Sequence, residues 1–149
     1  MSRWILAAAL LAVAVEVSAV NPAELLDPQD AFRISARALD AHTAVLEFRI
    51  ATGYYLYRDR FRFETEAGKI IANAELPSGK VKEDPFFGRT ETYRDYVRIK
   101  VPLSDANLAQ KRMRLKVISQ GCADIGVCYI PQEQWVEVKL DNASRRQSP

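Results

Sequence analysis

The chain has 149 residues, a formal net charge of +2, 48% hydrophobic residues and 27% charged ones. Lys and Arg are interspersed with Asp and Glu and form no basic stripe, which argues against nucleic-acid binding. Two cysteines and one histidine fall short of the four Cys or His ligands of a structural zinc site, so no metal or cofactor is expected.

The first residues read as an export signal. Arg3 supplies a positive start, Trp4 to Val15 is an unbroken apolar run, and Val17-Ser18-Ala19 suits a signal peptidase. The run stops at Glu16, short of the roughly 17–25 residues that span a bilayer. We therefore expect a signal peptide over 1–19, one domain over 20–141 and a polar tail or linker over 142–149. The exported domain of about 130 residues is long enough for a single core, in a compartment where disulfides form.

Helical signals are short: Pro22 to Leu26, and a single turn over Asp105 to Gln110. His42 sits beside a polar turn and reads as a solvated surface residue. Elsewhere the hydrophobic period is two. Leu46, Phe48 and Ile50 alternate with Val45, Glu47 and Arg49, and Val97, Ile99, Val101 and Leu103 with Arg98, Lys100 and Pro102. Met113, Leu115 and Val117 alternate with Arg112, Arg114 and Lys116, and Val136, Val138 and Leu140 with Glu137 and Lys139. Each run is a half-buried strand. Turn clusters at Ala51-Thr52-Gly53, Glu66-Ala67-Gly68, Pro77-Ser78-Gly79 and Ser104 to Asn107 separate them. The expected fold is all-β, an antiparallel sandwich of immunoglobulin-like class.

Three segments stand apart from this pattern. In Gly53-Tyr54-Tyr55-Leu56-Tyr57-Arg58, Tyr55 and Tyr57 share one face of a strand; ordinary packing explains them as well as a site does. In Glu83-Asp84-Pro85-Phe86-Phe87-Gly88-Arg89 the adjacent rings do not fit a strand. The segment is either a loop tucked into a local core or an aromatic flap over something reactive.

The third segment, Gln120-Gly121-Cys122-Ala123-Asp124-Ile125-Gly126-Val127-Cys128-Tyr129, holds both cysteines. Asp124 and Gly126 suit a hairpin connection, which would set the cysteine Cα atoms about 4.5–5.5 Å apart. The ring is small and stabilises by only roughly 2–2.5 kcal/mol. Opening it would leave a sandwich core intact. A structural hairpin disulfide and a redox pair both remain open on spacing alone. No Lys, Arg or His adjoins either cysteine, and Asp124 between them disfavours a thiolate.

Taken in order, these three segments, with Tyr93-Arg94-Asp95 and Pro131, resemble the N-terminal periplasmic domain of the DsbD family of thiol:disulfide interchange proteins. The resemblance implies an immunoglobulin-like sandwich with the cysteine pair on an inserted β-hairpin. It implies a catalytic pair in which Cys128 forms mixed disulfides and Cys122 resolves them. Phe86 would be the tip of a cap loop shaped by Asp84, Phe87 and Gly88, and Tyr55 and Tyr57 would line the site beneath.

The resemblance also implies a periplasmic protein-disulfide reductase component that needs no cofactor; a shuttle that docks alternately to two partners is most simply a monomer. Its donor would be a thioredoxin-like reductant domain of the same or a related membrane protein. Its acceptors would be a periplasmic disulfide isomerase and thioredoxin-like proteins. Pro85 stands where some members of the family carry an acid, and Ile130-Pro131 where a Pro-Pro pair is common. The rival expectation is a non-catalytic exported immunoglobulin-like binding module with a structural disulfide.

Overall fold

The computed structural model describes residues 25–104 and 111–140. The expected signal peptide, the turn over Asp105 to Gln110 and the tail over 142–149 lie outside them.

One short helix, α1 (Pro28–Ala31), opens the described chain. Leu25 and Leu26, expected at the end of a helical stretch, are not helical. The turn starts instead behind Asp27, with Pro28 in its first positions, where a missing N–H costs nothing.

Eleven strands follow: β1 (Phe32–Asp40), β2 (Thr43–Ile50), β3 (Tyr54–Tyr57), β4 (Arg62–Thr65), β5 (Lys80–Asp84), β6 (Gly88–Tyr93), β7 (Tyr96–Pro102), β8 (Arg112–Ser119), β9 (Gly121–Ala123), β10 (Val127–Cys128) and β11 (Gln132–Lys139). A 3-10 turn, Arg58–Arg60, joins β3 to β4. All pairings between these strands are antiparallel, in three sheets ordered β1-β2-β7, β11-β8-β4 and β10-β9-β3-β6-β5. The fold is the expected all-β, immunoglobulin-like sandwich.

The alternation runs set the body of the domain. Leu46, Phe48, Val97, Ile99 and Val101 of the first sheet join Phe63, Met113, Leu115, Val117, Val136 and Val138 of the second in one apolar core. Val45 departs from its run. It was expected to face outward with Glu47 and Arg49, yet it is fully buried. β2 is the central strand of its sheet, and the register places Val45 between Arg37 and Lys100, whose aliphatic stems can cover an apolar neighbour. β1 was missed, because Ala36 and Ala38 weaken its alternation, although it pairs with β2 from Phe32 to Asp40.

The third sheet positions the site. β3 is buried along its whole length. Tyr54 and Leu56 enter the sandwich core, while Tyr55 and Tyr57 point the other way, into a second cluster with Cys122 and Cys128. β9 lies against β3 because residue 121 has no side chain. A Cβ there would meet the Tyr55 carbonyl oxygen at 2.4 Å and the Phe32 ring at 2.5 Å.

Candidate functional site

The cysteines occupy facing positions of a hairpin, Cys128 opposite Cys122 and Val127 opposite Ala123. Their sulfurs are bonded and their Cα atoms are 3.9 Å apart, closer than the expected spacing. The physical reason is the register. The Tyr129 N–H reaches past the pair to the Gly121 carbonyl at 3.0 Å, so the cysteines sit at a narrow, non-hydrogen-bonded position, drawn further together by the cross-link. Asp124-Ile125-Gly126 form the connection; the Gly126 N–H bonds the Ala123 carbonyl at 3.0 Å and Gly126 is left-handed at φ 88°, which favours glycine.

The two sulfurs are not equivalent. β9 runs between β10 and β3, with Cys122 opposite Tyr55 as well as Cys128. Cys122 is 0% exposed, whereas Cys128, on the edge strand β10, is half-buried.

The Phe-Phe segment is the turn of a second hairpin, and its two rings stand outside the strands, as expected. Glu83 and Asp84 end β5, Gly88 and Arg89 begin β6, and Asp84 pairs with Gly88 across the neck. The rings avoid strand positions by occupying the tip. One carboxylate organises this tip. Asp84 Oδ1 accepts the N–H groups of Phe86 at 2.9 Å and Phe87 at 3.2 Å, an Asx-type turn. Asp84 Oδ2 accepts the hydroxyls of Tyr55 at 2.9 Å and Tyr57 at 2.8 Å, and the Lys82 ammonium lies 3.4 Å away. The hairpin turn and the two phenols therefore share one anion.

Burial alone would raise the Asp84 carboxyl. Hydrogen bonds from Phe86, Tyr57, Tyr55 and Phe87 outweigh it and hold the pKa down to about 2. The Tyr57 phenol is pushed well above its ordinary range, first by burial, then by Tyr55 and Asp84. Its oxygen stands 3.1 Å from Cys122 Sγ and 3.8 Å from Cys128 Sγ. A phenol has one proton. If Tyr57 gives it to Asp84, the same oxygen presents lone pairs to sulfur.

The two rings of the hairpin turn divide. Phe87 packs edge-on against Tyr57, centroids 4.9 Å apart, with the Arg60 guanidinium 4.2 Å from its own centroid. Phe86, at the tip, is 57% exposed.

The structure thus brings Tyr55, Tyr57, Asp84, Phe87, Cys122 and Cys128 together, with Gly88 closing the Phe-Phe turn at φ 68°. Sequence reasoning missed three cations around them. Lys82 stands 3.9 Å over the Tyr55 ring; its position two residues before Asp84 on one strand was the available signal. Arg60 gave no such signal. Arg94 was quoted without a role. It forms a two-pronged pair with Asp124 at 2.7 and 2.9 Å. The pair corrects the electrostatic reading of Asp124, whose charge is matched by a neighbour 30 residues away in sequence. Its carboxyl is held below the usual range, first by the hydrogen bond from Arg94. Among the described residues no three His, Cys, Asp or Glu side chains converge as a metal site requires.

With this geometry in view, comparison with known proteins is specific. The family profile of the N-terminal region of the thiol:disulfide interchange protein DsbD matches residues 22–140. Thiol:disulfide interchange protein DsbD 1 of Pseudomonas aeruginosa is 40% identical over 114 residues, covering 76% of this chain and 19% of that protein. DsbD of Ralstonia nicotianae is 40% identical over 148 residues, 95% of this chain and 24% of that one. The chain thus spans about a fifth to a quarter of these relatives. Among solved structures, the reduced DsbD N-terminal domain of Neisseria meningitidis superposes with a TM-score of 0.70 at 31% identity, covering 80% of this chain and 94% of that one. A complex of that domain with the PilB N-terminal domain from Neisseria meningitidis matches at a TM-score of 0.62 and 31% identity, covering 76% and 87%.

Proposed function

The chain belongs to the family of the DsbD N-terminal domain, and from that premise we propose that it carries out periplasmic thiol–disulfide exchange through a reversible Cys122–Cys128 disulfide. It takes reducing equivalents from a membrane-linked thioredoxin-like donor and passes them to oxidised periplasmic disulfide proteins. One observation carries the reading: within a single hairpin, Cys122 is sealed and Cys128 is reachable. A structural staple has no need of that asymmetry.

In the reductive half-reaction a donor thiolate attacks the Cys128 sulfur. The S–S bond breaks and its electron pair goes to Cys122, which takes up a proton. A second donor thiolate then attacks its own mixed sulfur and expels Cys128. The donor pair is oxidised and the domain pair reduced. In the forward half Cys128 attacks a target disulfide, and Cys122 attacks Cys128 to release the reduced target.

The phenols support the resting dithiol. With Tyr57 donating to Asp84, its oxygen can accept the Cys122 S–H. Activation of the pair is then the work of the docked partner. The Asp84–Gly88 hairpin acts as the cap, Phe87 seated on Tyr57 and Phe86 forming the tip that a partner meets first.

The test is covalent trapping. The Cys122→Ala chain, retaining Cys128, is expected to accumulate a mixed disulfide with a thioredoxin-like domain, and the Cys128→Ala chain is not. Absence of any adduct from Cys122→Ala would sink the exchange reading. So would a wild-type potential below about −300 mV, the range of structural disulfides.

A further inference from the structure

The tip of the reacting hairpin is held by a contact that the exchange steps do not use. Arg94 leaves the turn between β6 and β7, and its guanidinium forks onto Asp124, the residue that begins the connection between the two cysteines: Nη1 to Oδ2 at 2.9 Å and Nη2 to Oδ1 at 2.7 Å. The same guanidinium lies 5.0 Å from the centroid of the Tyr55 ring. The turn that launches it is itself fixed. The Asp95 carbonyl accepts the Ile50 N–H at 2.8 Å, and the Tyr96 N–H bonds the Arg94 carbonyl at 2.6 Å.

The hairpin's other end is pinned independently. Tyr129, next to Cys128, sets its ring edge-on to Phe32 at 5.7 Å and its hydroxyl on the Leu26 carbonyl at 2.5 Å. Between these two anchors lies β10, a two-residue strand at the edge of its sheet. When the disulfide opens, β10 loses its covalent tie to β9.

We propose that Arg94 is a positioning residue for the exchange reaction: by clamping Asp124 it holds the hairpin turn so that the two sulfurs stay opposed while they are not bonded. The proposal rests on the exchange reading above. In the resolving step Cys122, its proton lost to solvent, attacks the Cys128 sulfur of a mixed disulfide. The Cys122–Cys128 bond forms, the Cys128–partner bond breaks, and the electron pair leaves on the partner sulfur. That step is intramolecular, and its rate depends on geometry. A bidentate fork fixes geometry in a way that a single ammonium does not.

An aromatic disulfide reagent that releases a coloured thiol separates the steps on the reduced chain. The first release, attack by Cys128, scales with reagent concentration. The second, attack by Cys122, does not. Arg94→Ala and Asp124→Asn are expected to slow the second release about fivefold, the effect of a half-exposed but two-pronged pair, and to leave the first unchanged. The double variant should be no slower than either single one, and Arg94→Lys should fail to restore the rate. An unchanged second release in Arg94→Ala, or equal slowing of both releases, overturns the clamp. A wild-type chain that gives no second release overturns the exchange reading and the clamp with it, whereas normal wild-type release beside unchanged variants overturns the clamp alone.

Discussion

In β7 and β8 one face is apolar and enters a dry core while the other carries charge to water, whereas β3 is buried on both faces and its outer face holds phenols over a disulfide. The body of the domain is stabilised by buried area, which is non-directional and grows with the number of side chains involved. The site end is stabilised by hydrogen bonds converging on one carboxylate, which are directional and fail as a set. A disulfide placed in the second region is expected to open without disturbing the first.

Phe48 is fully buried and meets Phe61 edge-on at 5.3 Å. Truncation to Ala should cost about 3–5 kcal/mol in equilibrium unfolding. The thiol-exchange rate of the molecules that remain folded should not change. A fall in rate beyond the unfolded fraction would show that body and site are one unit.

Asp84→Asn attacks the other region. Its amide keeps one acceptor for the cap turn but turns a donor towards two phenols and Lys82, and should cost roughly 2–3 kcal/mol, read by denaturant unfolding of the oxidised chain. The pH dependence follows from the same group. The Asp84 carboxyl has its pKa lowered from 3.8 to about 2, so the unfolded chain binds the proton more readily than the folded one. Its contribution, on the order of 2 kcal/mol, is present above the unfolded value and is lost as pH falls through the folded one. Wild type should therefore lose stability between pH 3.8 and about 2 relative to Asp84→Asn. Parallel acid limbs for the two chains would remove the carboxylate from the centre of the site.

The same division governs what could be read from the sequence. The apolar residues of β7, β8 and β11 follow a period of two, and that pattern alone locates the core-facing side of each of these strands. The site escapes such a reading because its contacts join distant segments: Asp84 to Tyr55 and Tyr57, 29 and 27 residues apart, and Arg94 to Asp124. Face-sharing placed Tyr55 with Tyr57, and spacing placed Cys122 opposite Cys128. Nothing local said that one carboxylate would both turn the cap and bind the phenols. Nor could alternation show that Asp84, a charged residue in a strand with an exposed face, has a fully buried side chain.

The smallest effects are expected at the cap, where the two rings differ. Phe87 is packed between Tyr57 and Arg60 and is 38% exposed, while Phe86 is 57% exposed. An edge-on aromatic pair contributes roughly 0.5–1.5 kcal/mol. Losing the Phe87 ring should raise the open population of the cap by about two- to tenfold, with little change in the unfolding midpoint. Reduction of the oxidised pair by a small thiol should quicken accordingly in Phe87→Ala, and less in Phe86→Ala, because the tip ring contributes less to keeping the loop seated. The order of the two variants is the informative quantity. A greater acceleration in Phe86→Ala would mean that the tip ring, rather than the seated one, screens the sulfurs. The site would then owe its protection to the exposed apolar ring, and the packing of Phe87 on Tyr57 would serve only to hold the hairpin that carries it.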